Sequence, residues 1–152
     1  MSTNGTAMRT DRAIDRLTAA LRTTFVGRPR VAAVATVAAA ALAGVVARQV
    51  ASSGAYLRIE HAFPTYAGEV TGVFLLAGTA LVALAAVAAA LGGGVVPSVL
   101  LAGAPAFGWA VNHTAAPITP QYAATFPLEM GLLYGVVFGV VGYAVGRGLR
   151  RA

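Results

Sequence analysis

The chain contains no cysteine, which excludes a disulfide framework and any thiolate metal or redox centre. Lysine is also absent: all 11 basic side chains are arginines, set against only 5 acidic residues. Charged residues make up 11% of the chain, where an ordinary soluble domain carries roughly 25%. No phosphate-cradling loop is present, because Gly92-Gly93-Gly94 is not followed by Lys and Ser or Thr. There is no HExxH pair, and no nucleophile stands near a recognisable base. These gaps remove most routes to catalysis, and no cofactor is implied.

What is present is apolar. Hydrophobic residues make up 58% of 152, and a soluble protein of this length has too little interior to hide them. The apolar runs are spaced as membrane spans at about 31–48, 69–91, 95–111 and 128–146. They predict an all-α integral membrane four-helix bundle. Residues 1–30 form a cytoplasmic tail with an amphipathic helix, and 31–152 form the four-span domain. Residues 1–9 are small and polar and read as disordered. From Thr10 or Asp11 to about Val26, Ile14, Leu17, Leu21 and Phe25 share one face, with arginines on the rest. That pattern fits a helix lying in the headgroup plane, or alternatively a cap over the bundle. A cleaved leader is the competing reading of the first span, but the preceding segment is long for one.

The last span, Leu128–Gly146, organises the others. Gly131, Gly135, Gly139, Gly142 and Gly146 fall within about 80° of arc on a helix. In water each interior glycine would cost roughly 1 kcal/mol relative to alanine. In lipid the same strip lets a second helix approach closely. It is expected to pack on the first or second span, or to form a homodimer interface. The third span is the weakest, since Pro105 should kink it and a re-entrant path is an alternative.

Four crossings place both termini on one side with nine arginines, leaving only Arg48 and Arg58 opposite. The positive-inside rule then makes both ends cytoplasmic, in the cell membrane. Tyr56, Phe63 and Tyr66, and separately Trp109, Tyr122 and Phe126, are expected in interfacial belts at the outer ends. Prolines 117 and 120 are expected to prevent a long helix between Asn112 and Pro127, where Pro127 opens the last span.

The chemistry available gathers at the outer ends: Glu60, His61, Glu69, Asn112, His113, Gln121 and Glu129. Imidazole and carboxylate together can bind a metal or relay protons, though solvated loop residues are the simpler explanation of them. Glu129 and Glu69 each stand near the start of a span. There a carboxylate gains from the helix dipole, or contacts an ion or substrate if it faces inward. Asn112-His113-Thr114 is a glycosylation sequon on the outer side, and Asn4-Gly5-Thr6 matches the same pattern on the inner side. Phe63-Pro64…Glu69 and Phe126-Pro127…Glu129 hint at a duplicated helix pair.

With Tyr134-Gly135-x-x-x-Gly139, the last span resembles small prokaryotic four-span membrane proteins of unknown function with a glycine-rich final helix. The resemblance covers about 20 residues and implies a compact bundle and no particular activity. The expected partners are the lipid bilayer and either a second copy or another membrane protein, with no nucleic acid. The expected role is structural, scaffolding or partner-binding. The alternatives are a small oligomeric transporter or channel using the outer carboxylates, and an outward-facing metal or enzymatic site using His61 and His113.

Overall fold

In a computed structural model the protein is mostly helical over the residues the structure describes, which are 4–62, 71–113 and 120–151. Six helices follow in order: α1 (Asn4–Phe25), α2 (Pro29–Ser53), α3 (Tyr56–Ala62), α4 (Gly72–Ala90), α5 (Val95–Ala110) and α6 (Pro120–Leu149). Among the described residues three stretches are long and apolar enough to cross a membrane: α2, α4 and Thr125–Leu149 of α6. The fourth apolar helix, α5, has 16 residues and rises about 24 Å.

That short helix is the hub. It packs against α2, α4 and α6, and α4 also packs against α6. Its beginning lies beside the α1–α2 junction, where Gly94 donates its N–H to the Val26 carbonyl (3.2 Å). Its end lies beside the last third of α2, where Asn112 Nδ2 donates to the Ala47 carbonyl (2.9 Å). It therefore runs alongside α2 and does not turn back as a re-entrant segment would. Pro97 occupies its first turn and Pro105 its interior.

The core is made of small residues. Ala85, Ala89 and Ala102 are fully buried, and the largest side chain with no exposure at all is Ser98. The bulky residues point outward: Leu76 is 77% exposed, and Val34 and Val37 are 69% exposed. In water the order would be reversed, since large aliphatic residues dominate soluble interiors. Small residues inside and large ones outside is the arrangement in which helices gain by approaching closely while lipid solvates the rest.

The glycine strip of α6 is used within the chain, by two helices. A Cβ on Gly139 would meet the Val99 backbone, one on Gly135 the Val99 carbonyl, and one on Gly103 the Gly131 carbonyl, so this half seats on α5. A Cβ on Gly142 would meet the Val82 carbonyl and Ala85, and one on Gly146 the Ala86 carbonyl. This half seats on α4. Of the two spans expected as its partner, the strip packs on the second, α4, and it packs also on the third, α5, while the first, α2, packs chiefly on α5. Gly135, Gly139, Gly142 and Gly146 are all buried within one chain, so the strip is already occupied inside the protomer. On α2 the equivalent surface is alanine. Ala35 and Ala39 are buried, and Gly108 of α5 fits against the Ala43 backbone.

Several boundaries differ from expectation. α1 begins at Asn4, so residues 4–9 are helical, not disordered. Its apolar face does not cap the bundle: Ile14, Leu17, Leu21 and Phe25 are all about half exposed or more. α2 continues to Ser53 and ends on Gly54 in the left-handed region (φ 59°), where glycine carries no Cβ penalty. α3 occupies what the sequence presented as a polar connection. α4 starts at Gly72, with the Thr71 hydroxyl accepting from the Phe74 N–H (3.1 Å) and donating to the Ala62 carbonyl (2.8 Å). α6 begins at Pro120, where a missing N–H costs nothing, so Pro127 lies inside the helix and does not open it.

At the opposite end from α3, the Gly92-Gly93-Gly94 turn crosses the α1–α2 junction. Gly27 pairs with Gly93 as an isolated antiparallel bridge, and Arg28 donates its N–H to the Gly92 carbonyl (2.9 Å). Gly27 (φ 74°) and Gly92 (φ 101°) hold conformations that side chains resist. A Cβ on Gly27 or Gly94 would also overlap the facing backbone.

Replacing Gly139 with leucine should weaken the fold by about 1–3 kcal/mol, because backbone and not a yielding side chain stands in the way. Gly44 faces nothing within 4 Å, so Gly44→Ala should instead stabilise by up to about 1 kcal/mol. Unfolding titrations in mixed detergent micelles measure both.

Candidate functional site

The densest polar and aromatic constellation lies where α2, α3, α5 and α6 meet. Gly54 turns the chain so that α3 crosses the end of the helices, placing Tyr56 over Trp109 at the end of α5. The two rings stack at 5.1 Å and 7°. The Trp109 Nε1–H donates to the Tyr56 carbonyl (3.3 Å), and Phe126 of α6 closes the other side at 6.0 Å. Below them Val50, Ala110 and Met130 form a buried cluster. Trp109 is only 9% exposed, so it is a core residue of this cap and not a member of a lipid-facing belt.

His113 follows α5 and packs at a tilt of 38° against Phe126, the ring centroids 4.6 Å apart. Its Nδ1 shares a 2.5 Å hydrogen bond with the Tyr56 hydroxyl. In the Nε2–H tautomer the imidazole accepts the phenol proton at this nitrogen. Burial first, and the nearby Glu60 carboxylate second, push the Tyr56 hydroxyl up from its ordinary 10.0 to about 12. Both disfavour a phenolate, so the hydroxyl keeps its proton across the physiological range. Asn112 bridges two helices, its Nδ2 donating to the carbonyls of Ala47 (2.9 Å) and Gly108 (3.1 Å). The nitrogen that glycosylation would modify is therefore already engaged in helix packing.

The remaining candidates do not converge. His61 turns back on its own helix, with Nδ1 at 2.7 Å from the Leu57 carbonyl, and both His61 and Glu60 are exposed. Among the described residues no three His, Asp or Glu side chains stand together as a metal set. Glu129 is exposed and lies well past the first turn of α6. It neither faces the helix interior nor gains from the helix start, which corrects both readings of it. Glu69, Phe63, Tyr66 and the first half of the suspected duplication lie outside the described residues, as does the side chain of Gln121.

Two apolar recesses flank α5. One of about 230 Å³, directly beneath the aromatic cap, is lined by Val46, Ile59, Ala77, Leu81, Pro105, Trp109 and Tyr134. The other, of about 320 Å³, lies between α2 and α6 over α5, and Thr36, Ala39, Ala43, Gly103, Phe107 and Leu132 are among its walls. No ionisable group other than the Tyr134 phenol lines either one. Both suit hydrocarbon and neither is built to carry an ion.

The family described as "Domain of unknown function (DUF8071)" matches residues 25–152, from the last residue of α1 to the end of the chain. The chain belongs to this family. No curated protein matches it, and no solved structure does. The matched span takes in the glycine bridge, the hub helix and the whole aromatic cap.

Tyr56→Phe keeps the stack and deletes the bond to His113, and should cost about 1 kcal/mol of stability. The pH dependence has a definite sign. Because folding raises the Tyr56 pKa, its contribution is complete below pH 10 and falls as pH rises toward 12. Tyr56→Phe should flatten that decline in alkaline unfolding curves.

Proposed function

We propose that the protein is a multi-pass membrane protein of the cell membrane with a structural or partner-binding role. In this reading α2, α4, α5 and α6 all cross the bilayer, both termini are cytoplasmic and α1 lies along the inner surface. The observation that carries the role is the polarity of the interior. Among the described residues the one buried polar side chain is Ser98, and its hydroxyl is occupied by the carbonyls of Gly94 (3.0 Å) and Ala85 (3.3 Å). Charged groups at membrane depth mark ion and proton paths, and none stands in this interior.

Topology and charge support the four-span reading. α5 runs alongside α2, the α4–α5 turn lies at the α1–α2 junction, and Arg28 and Arg150 stand at that same turn. The half-exposed apolar face of α1 supports a helix that finds its partner in the headgroup layer. α2 packs chiefly on α5, and Val34, Val37 and Val45 are exposed, which leaves them open to lipid or to a partner helix.

A cysteine-free chain makes the test direct. Ser53→Cys should react with an impermeant maleimide in intact cells, and Gly148→Cys only after permeabilisation. The reverse pattern would invert the topology. For the role, a photoreactive residue at Val37 should yield a discrete protein adduct in the native membrane, whereas adducts to lipid alone would count against partner binding. Flux through liposomes that falls on Glu129→Gln would favour a transporter instead.

A further inference from the structure

We propose that the turn-and-junction end of the protein holds one anionic lipid headgroup, gripped between Arg28 and Arg150. These residues are far apart in sequence and lie on different elements: Arg28 caps the start of α2, and Arg150 follows the end of α6. Both side chains close over Gly92. Arg28 Nε lies 3.2 Å and Arg150 Nη1 3.3 Å from the point a Cβ on Gly92 would occupy. Two guanidinium groups thus share one small space above a residue with no side chain.

Like charges do not converge without a reason. Among the described residues neither guanidinium has a hydrogen-bond or ion-pair partner. Both are exposed, so solvent reaches them and their mutual repulsion is unrelieved by the protein. The arrangement is nevertheless fixed from beneath. The Arg28 N–H is bound to the Gly92 carbonyl, and the Arg150 N–H to the Gly146 carbonyl (3.3 Å). The turn itself keeps its own N–H groups occupied: Gly92, Gly93 and Gly94 donate to Ala89, Ala88 and Val26. What remains on offer is a pair of planar, multi-donor cations. The fitting ligand is a phosphate-type anion, which can accept from both at once.

A lipid headgroup is favoured over a free anion by position. Pro29 begins α2 and Leu149 ends α6 at this same turn, and those helices are two of the three long enough to cross a membrane. The pair therefore sits at headgroup level, where anionic phosphates are concentrated. A bound phosphate would tie the α1–α2 junction, the α4–α5 turn and the end of α6 together. This inference rests on the membrane reading above.

The test uses the full chain in detergent, delipidated and titrated with phosphatidylglycerol or phosphatidylcholine, and read by native mass spectrometry. The first phosphatidylglycerol should bind about tenfold more tightly than phosphatidylcholine, and R28Q/R150Q should erase that preference. R22Q/R151Q removes the same charge near the same end and should keep it within about twofold. Equal loss in both double variants would show a diffuse field and overturn the site, as would no preference in the wild type. Inorganic phosphate competing as well as the lipid would make it a small-anion site and overturn the lipid assignment. Purification of a stable monomer without detergent would instead defeat the membrane reading, so the two failures are distinguishable.

Discussion

The structure depends on how closely other helix backbones approach α5. In lipid, burying apolar surface gives no net gain, so helices associate through dispersion, weak Cα–H···O contacts and hydrogen bonds. Each Cα–H···O contact contributes about 0.5–1 kcal/mol, and only at short range. The glycines at 103, 108, 135 and 139 and the alanines at 35, 39 and 43 provide that range by putting no side chain between backbones. The cost is that the interior holds little volume. Most bulky aliphatic residues are displaced to the periphery, and the tryptophan is buried only where α5 ends.

Because the middle is dry and small, polar chemistry is confined to the two ends, and each end is closed by a different device. One end uses backbone. A triple-glycine turn meets a glycine at the α1–α2 break, with hydrogen bonds crossing in both directions, and arginines lie above it. The other end uses side chains: an indole and a phenol stacked in parallel, an imidazole hydrogen-bonded to that phenol, and an asparagine spanning two helices. The backbone closure demands particular conformations, and so glycine. The side-chain closure demands particular donors and acceptors.

This difference explains what the sequence disclosed. Periodic features were legible: apolar runs gave the long helices, and five glycines on one arc identified α6 as a packing helix. The identity of its neighbours was not, because a smooth face fits any other smooth face. The alanine strip of α2 was invisible for a related reason, since a run consisting mostly of alanine has no distinctive side. The aromatic cap was hidden by distance. Tyr56 and His113 are separated by 57 positions, and each looks like an ordinary interfacial residue alone. The long polar connection concealed α3, whose seven residues are too few to show a period. Pro120 misled because proline was read as a breaker, although at a helix start it is compatible with the fold.

The placement of α2 gives the architecture its asymmetry. α4 and α6 pack extensively on each other and on α5, whereas the main partner of α2 is α5. Its start is held by the backbone bonds to the glycine turn and its far end by the Asn112 bridge and the buried Val50, and alanine contacts hold the length between. Recesses open on both sides of it, toward α4 and toward α6. A helix serving only to complete a sealed interior would pack on more neighbours than this. A conduit would have to bring polar atoms into one of those recesses, yet their walls are apolar. An α2 seated on α5 with Val34, Val37 and Val45 left exposed is the form expected of a helix whose outer face meets hydrocarbon or another helix.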